Sequence, residues 1–207
     1  MREKLQGRGL YVITDGPRPD LLEVVAQALA GGARLLQYRD KTTDQARRLT
    51  EARAIRALCA ARQVPLIIND DVELARQCGA AGVHLGEDDG DVAAARAVLG
   101  EDAIIGVSCY DSLERAHQLT DAGADYIAFG AFFPSPTKPN ARRASFDLLR
   151  QTAALGIPRV AIGGITPDNG ESLIDAGADY LAVISAVFGD SDVRGAAARF
   201  AQLFSSH

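Results

Sequence analysis

The sequence predicts an α/β fold, a closed (β/α)8 TIM barrel that forms a single domain over residues 1–207. The main observation is that short apolar runs alternate with amphipathic segments eight times along the chain. Strands that alternate with helices form a parallel sheet, and eight such units favour a closed barrel over an open sheet. No Gly-x-Gly-x-x-Gly follows the first apolar run, which argues against a dinucleotide-binding fold.

Each predicted strand is a short run rich in Val, Ile and Leu. These runs lie at 10–14, 33–38, 64–68, 82–85, 103–107, 126–129, 160–162 and 180–184. Between them apolar residues recur at helical spacing, which predicts helices at 20–31, 45–61, 72–79, 92–99, 112–122, 146–154, 166–177 and 193–204. Asp20 is expected to cap the first helix, and Pro167 suits the first position of the seventh.

The composition argues against several classes of protein. The chain is 47% hydrophobic, which is enough for one sizeable core. Its net charge is -5 without a basic run, so we expect no nucleic-acid partner. No apolar stretch approaches the ~20 residues of a membrane span, and the charged N-terminus lacks the apolar segment of a signal peptide. The three cysteines have no CxxC spacing, so we expect reduced thiols in a cytoplasmic protein. The sequence fixes no oligomeric state, and a homo-oligomer remains open.

Polar residues follow nearly every predicted strand. The chemistry of such barrels lies at the carboxyl ends of the strands, which share one rim. A rim that collects cations, carboxylates, amides and hydroxyls is hard to ascribe to solubility alone. We therefore expect the functional site there, built from the stretches 37–41, 69–71, 84–89, 108–110, 163–165 and 184–186.

The connection after the sixth strand is long and carries the stretch 133–139, with sequence Phe-Pro-Ser-Pro-Thr-Lys-Pro. Three prolines exclude a helix or a central strand and make the loop stiff. Such a loop holds Ser135, Thr137 and Lys138 in place, and two hydroxyls with a cation suit a phosphate ester. A surface turn with a solvated lysine is the alternative. Loops of about fifteen residues without secondary structure are usually functional.

Two kinds of phosphate site are predicted on this rim. Asp70 and Asp89 follow neighbouring strands, and paired carboxylates suit Mg2+. Arg39, Lys41 and Lys138 can approach the same point, so this side would bind a diphosphate. The stretches after strands seven and eight, 163–164 and 184–185, occupy the positions where barrels often bind a monophosphate. An enzyme that binds both groups would join two phosphorylated small molecules and release diphosphate.

Each of these residues also has a structural interpretation. The charges at 37–41 could be a solvated edge, Asn69-Asp70 could cap a helix, and the acidic stretch 87–89 could be an exposed turn. His84 is more typical of a packed, hydrogen-bonded histidine than of a catalyst. Cys109 is more typical of packing than of a nucleophile. Since no nucleophile is evident, catalysis would rest on positioning and on stabilising the leaving group.

The sequence resembles the thiamine-phosphate synthase family over essentially its whole length. The resemblance rests on the order and spacing of eight motifs, which lie at 10–15, 37–41, 68–70, 83–86, 105–108, 134–139, 162–165 and 184–186. Members of that family join 4-amino-2-methyl-5-hydroxymethylpyrimidine diphosphate to a thiazole phosphate. The resemblance implies a dissociative reaction, in which diphosphate departs from the pyrimidine methylene before the thiazole nitrogen attacks.

The same resemblance implies roles for individual residues. The pyrimidine diphosphate would be held by Gln37, Tyr38, Arg39, Asp40, Lys41, Asn69, Ser108 and Lys138, with Arg39, Lys41 and Lys138 acting in catalysis. Mg2+ would be held by Asp70 and Asp89. The thiazole phosphate would be held by Ser135, Pro136, Thr137, Gly164, Ile184 and Ser185.

Three residues depart from the pattern of the family. Ser135 replaces the usual threonine but keeps the hydroxyl, Glu87 replaces glutamine beside the metal site, and Tyr110 replaces a frequent histidine. The related thiazole tautomerases have their proton-transfer histidine near position 110, so Tyr110 argues against that activity. A non-catalytic barrel that binds thiamine precursors is a second alternative, and the complete set of cations and carboxylates argues against it. An unrelated phosphosugar isomerase or aldolase is a third, but no strand-end general base or Schiff-base lysine stands out for it.

Overall fold

The computed structural model of the chain describes residue 5 and residues 7–134 and 142–206. Eight parallel strands pair in chain order, and the eighth pairs with the first. The strands are β1 (Gly9–Ile13), β2 (Ala33–Tyr38), β3 (Leu66–Asn69), β4 (Gly82–Leu85), β5 (Ile104–Tyr110), β6 (Tyr126–Gly130), β7 (Arg159–Ile162) and β8 (Tyr180–Val183). The predicted closed barrel is therefore confirmed.

A helix follows each strand on the outside of the barrel. The helices are α1 (Leu21–Ala30), α2 (Gln45–Ala60), α3 (Val72–Cys78), α4 (Val92–Leu99), α5 (Leu113–Asp121), α6 (Phe146–Gln151), α7 (Pro167–Asp175), α8 (Ser185–Phe188) and α9 (Val193–Leu203). Helix α8 was not predicted, because four residues are too few to show a helical period.

The apolar residues divide into two cores according to the alternation along each strand. The larger core lies between the sheet and the helices and includes Leu10 and Val12 of β1. The smaller core fills the barrel interior and includes Tyr11, Ile13 and Tyr126. Polar side chains in the part of this interior nearest the carboxyl ends of the strands can therefore approach one another from several strands.

The helix caps differ from the prediction at one position. The Asp20 side chain makes no capping bond, because Arg18 binds both of its oxygens at 2.6 and 2.9 Å. At α3 the cap is Asp71, whose carboxylate accepts a hydrogen bond from the Leu74 N–H at 2.9 Å. Asp70 is therefore not needed as a cap.

The sequence predicts reduced cysteine thiols and no membrane span. The cysteines at 59, 78 and 109 are free and buried. Among the residues that the structure describes, no helix is both long and apolar enough to cross a bilayer.

Candidate active site

A cavity of about 500 Å³ opens at the carboxyl ends of the barrel strands. Its lining includes Asn69 at the end of β3, and Asp40, Lys41, Asp70 and Asp89 from the segments after β2, β3 and β4. The strands deliver these side chains to one place because all eight run parallel and end at the same rim. The structure thus brings together residues that are widely separated in the sequence.

Asp70 has a backbone conformation that few residues adopt. Its φ is 62°, in the left-handed region, where Asp and Asn are tolerated best among non-glycine residues. Its Oδ2 accepts hydrogen bonds from Asn69 Nδ2 at 2.7 Å and from Lys41 Nζ. Asp70 therefore presents to the cavity a carboxylate that is already paired with the Lys41 ammonium group.

Asp89 lies beside Asp70. Its Oδ2 accepts a hydrogen bond from the Gly86 N–H at 2.8 Å. Burial raises the pKa of Asp89, and the hydrogen bond and charge of Asp70 raise it further. Within the described residues no cluster of three or more His, Cys, Asp or Glu side chains could hold a metal. This carboxylate pair could hold a hard cation that takes its other ligands from water or substrate.

Thr14, at the end of β1, is a residue that the sequence analysis missed. It is fully buried, and its hydroxyl both accepts from the Arg39 N–H at 2.8 Å and donates to the Arg39 carbonyl at 3.1 Å. This pair of bonds fixes the backbone of the segment that carries Arg39 to the rim. A threonine directly after a buried strand was the available signal.

Replacing Thr14 by valine is expected to lower the free energy of unfolding by about 2 kcal/mol, because the partly buried N–H and carbonyl of Arg39 both lose their hydrogen bonds to the Thr14 hydroxyl. Urea denaturation measures the change. Thr50→Val is the control, since the Thr50 hydroxyl is exposed and bonds only within its own helix, to the Ala46 carbonyl at 2.9 Å. Equal losses in the two variants would contradict the role given to Thr14.

Tyr38 and Asp40 have their polar atoms engaged by the segment that runs from Thr42 into α2. The Tyr38 hydroxyl donates to Glu51 Oε2 of α2 at 2.6 Å. The Asp40 carboxylate pairs with Arg47 at 2.7 Å and accepts from the Thr42 N–H at 2.8 Å. Burial opposes ionisation of Asp40, but these bonds lower its pKa overall. The structure therefore brings Gln37 into the barrel interior and Lys41 to the cavity, and gives 38 and 40 supporting contacts.

Gln37 and Ser108 lie at the two ends of a buried chain of polar side chains inside the barrel. Gln37 Nε2 donates to the Tyr11 hydroxyl at 2.6 Å, and the Ser108 hydroxyl lies 2.9 Å from His84 Nε2. As expected from the sequence, His84 is a packed histidine. Burial lowers its pKa to about 4, although the charge of Asp89 partly opposes this shift.

The predicted monophosphate side lies after β7 and β8. Gly164 has a φ of 66°, and a Cβ there would lie 2.5 Å from the Pro134 carbonyl oxygen, so only glycine fits. Ile184 is half-buried, and Ser185 is exposed at the start of α8. These residues are therefore placed at the same rim as the cavity.

The residues Ser135, Pro136, Thr137 and Lys138 lie outside the described residues. The two flanks of their loop are anchored beside β6 and β7. The Phe133 N–H donates to the Gly163 carbonyl at 3.0 Å, and the Ala131 N–H donates to the Arg142 carbonyl at 2.9 Å. Both ends of the loop therefore lie at the rim where the site is predicted.

Glu87 and Tyr110, two departures from the family pattern, contact one arginine. Arg142 pairs with Glu87 at 3.3 Å and lies 5.1 Å from the centroid of the Tyr110 ring. The Tyr110 hydroxyl also accepts from the Glu87 N–H at 3.2 Å. The two departures thus form a connected group at the rim. The side chains of Glu87 and Arg142 are about half exposed, so we expect their ion pair to contribute little to stability.

Comparison with known proteins agrees with this geometry. The family model described as thiamine monophosphate synthase matches residues 10–187. The chain is 58% identical over 187 residues to the thiamine-phosphate synthase of Xanthomonas campestris pv. campestris, covering 89% of this chain and 90% of that protein. It is 57% identical over 200 residues to the thiamine-phosphate synthase of Azoarcus sp., covering 95% and 97%.

A solved structure shows the same relationship. The thiamine phosphate pyrophosphorylase from Pyrococcus furiosus superposes with a TM-score of 0.87 at 36% identity, covering 99% of this chain and 98% of that one. The match spans the barrel and every strand end that forms the cavity. The chain belongs to the thiamine monophosphate synthase family.

Proposed function

We propose that this chain joins 4-amino-2-methyl-5-hydroxymethylpyrimidine diphosphate to a thiazole phosphate, giving thiamine phosphate and diphosphate. Family membership supports the reaction. One observation in the site carries it: Lys41, Asp70 and Asp89 meet at a single cavity. The Lys41 ammonium group would bind the negatively charged diphosphate, and the two carboxylates would bind the divalent cation that accompanies it.

The diphosphate half of the site rests on the segments after β2 and β3. Asp70 and Asp89 would hold Mg2+, since a pair of neighbouring carboxylates with water or substrate completing the shell suits this ion. When bound, Mg2+ would stabilise the negative charge that develops on the departing diphosphate. Further contacts to the pyrimidine diphosphate would come from Gln37, Arg39, Lys41, Asn69, Ser108 and Lys138. Tyr38 would support these residues from outside the sheet, and Asp40, which also lines the cavity, would anchor their segment through Arg47.

The reaction requires no protein nucleophile. The bond between the pyrimidine methylene and the diphosphate oxygen breaks, and its electron pair leaves with diphosphate. The thiazole nitrogen then forms the new bond to the methylene carbon. The chain contributes cations that stabilise the leaving group and a pocket that aligns the two reactants. The Cys109 thiol suits no nucleophilic role, because it is fully buried and burial raises its pKa to about 12.

The acceptor half would bind the thiazole phosphate. Its contacts would be Ser135, Pro136, Thr137, Gly164, Ile184 and Ser185. The close packing of Gly164 against the start of the β6–α6 loop supports this grouping, because it brings the two segments together. The loop would then contact both reactants, with its hydroxyls towards the acceptor and Lys138 towards the diphosphate.

A coupling assay tests the proposal. Purified protein with Mg2+ and both substrates is expected to form thiamine phosphate and release diphosphate in equal amounts. Omitting either substrate should abolish product, and removing the metal with a chelator should do the same until Mg2+ is restored. No product above background, while an authentic synthase works alongside, would overturn the assignment.

A further inference from the structure

Five polar side chains form one continuous chain of hydrogen bonds through the barrel interior. Gln37 Nε2 donates to the Tyr11 hydroxyl at 2.6 Å, and the Tyr11 hydroxyl lies 2.9 Å from the Tyr126 hydroxyl. The Tyr126 hydroxyl lies 2.9 Å from His84 Nδ1, and His84 Nε2 lies 2.9 Å from the Ser108 hydroxyl. The chain connects β2, β1, β6, β4 and β5 and joins two proposed substrate contacts.

The three middle members pack against one another inside the barrel. Tyr11 and Tyr126 are 1% and 0% exposed. The His84 and Tyr126 rings stack with centroids 5.6 Å apart, and the Tyr11 ring meets Tyr126 edge-on. Gly106 makes room for the Tyr126 ring, since a Cβ there would lie 1.9 Å from the ring carbon Cζ. The two tyrosines in the middle of the chain are therefore shut off from solvent, whereas Ser108 at one end is partly exposed.

With His84 neutral and each tyrosine hydroxyl hydrogen used within the chain, the Gln37 donor sets the direction of every bond. Because Gln37 donates to the Tyr11 oxygen, the single Tyr11 hydroxyl hydrogen goes to Tyr126. The Tyr126 hydroxyl hydrogen then goes to His84 Nδ1. A neutral histidine has only one N–H, which must lie on Nε2 and donates to the Ser108 oxygen. The Ser108 hydroxyl hydrogen remains for a further partner, since Ser108 is partly exposed, and the Gln37 amide retains its carbonyl oxygen as an acceptor.

We propose that Tyr11, Tyr126 and His84 are positioning residues that fix Ser108 as a donor and Gln37 as an acceptor towards the pyrimidine ring of the substrate. The inference rests on the proposed function, which supplies an aminopyrimidine. That ring offers an acceptor nitrogen next to a donor amino group, one partner for each end of the relay. A 4-oxo pyrimidine presents the inverted pattern, a carbonyl acceptor next to an N–H donor, and is disfavoured by the same two ends.

The kinetic test compares the diphosphates of the 4-amino and 4-oxo pyrimidines. The wild-type chain is expected to prefer the amino substrate, and Tyr126→Phe, which breaks the relay but keeps the ring, should reduce the ratio of the two kcat/KM values about tenfold. Tyr180→Phe is the control, since Tyr180 is equally buried in the same interior core and lies outside these four bonds. A ratio unchanged in Tyr126→Phe, or reduced equally in Tyr180→Phe, would overturn the relay.

A second readout needs no activity. In protein labelled with 15N-histidine, His84 is expected as the neutral Nε2–H tautomer at about pH 7. Variants His117→Gln and His207→Gln assign the signals, because the chain has three histidines. A protonated His84 or the Nδ1–H tautomer would overturn the direction of the relay. An inactive wild-type chain with the expected tautomer would overturn the proposed function while supporting that direction.

Discussion

Asp70→Asn is expected to lower kcat/KM for coupling at least about a hundredfold, with little change in stability. Asparagine tolerates the left-handed conformation that Asp70 adopts, so the backbone at φ 62° need not change. What is lost is the charge that pairs with Lys41 and that would share a cation with Asp89. The Mg2+ concentration needed for half-maximal rate should also rise. Steady-state kinetics over a Mg2+ titration, with thermal unfolding of the same samples, measures both effects.

The neighbouring residue provides the control. Asp71→Asn removes the same charge one position along the chain, but the Asp71 carboxylate caps α3 and pairs with Arg48 at 3.0 Å. Asparagine is about as good an N-cap as aspartate, so α3 should persist. Asp71 also lines the cavity, but its carboxylate is already bonded to the Leu74 N–H and to Arg48. We therefore expect kcat/KM to stay within about threefold of the wild-type value. Equal losses in the two variants would show that total charge, and not the position of Asp70, controls the rate.

Lys138→Ala is expected to lower kcat/KM about a hundredfold while leaving the unfolding temperature nearly unchanged. The sequence puts this cation on a stiff loop with three prolines, and the loop leaves and re-enters the barrel beside β6 and β7. A cation held there would stabilise the leaving diphosphate more than the bound substrate, so the loss should appear in kcat more than in KM. Release of diphosphate, followed over a range of both substrates, separates the two.

Arg143→Ala is the control for charge on the same loop. Arg143 is exposed and lies just beyond the Arg142 anchor. Its removal changes net charge by the same amount but should alter kcat by no more than about twofold. If Lys138→Ala keeps the wild-type rate, or if Arg143→Ala is equally impaired, the loop has no specific role in catalysis.

The sequence predicted the barrel well because its signals are local. Apolar runs, helical periods and glycine stops each depend on a few neighbouring residues, and all eight strands were found at nearly the observed positions. The errors were also local. Four-residue α8 has no period to detect, and Arg18 binds the carboxylate of Asp20 in place of a helix cap.

The site was predictable only as a set of strand ends. Alternation along β2 indicated that 37, 39 and 41 share a side, and the structure gives 38 and 40 contacts on the other side with α2. The sequence could not show that Asp71, and not Asp70, caps α3, because both are good caps and only the fold decides between them. Nor could it show that Thr14 holds the backbone of Arg39 across the sheet.

The sequence by itself determined the fold class, the rim that carries the chemistry and the residue types gathered there, since each follows from period, spacing and strand order. Only the tertiary structure decided which side chains meet. The contact between Lys41 and Asp70, and the chain from Gln37 to Ser108, join residues far apart in sequence. Their hydrogen bonds form because closure of the barrel brings polar side-chain atoms from non-adjacent strands within 3 Å of one another.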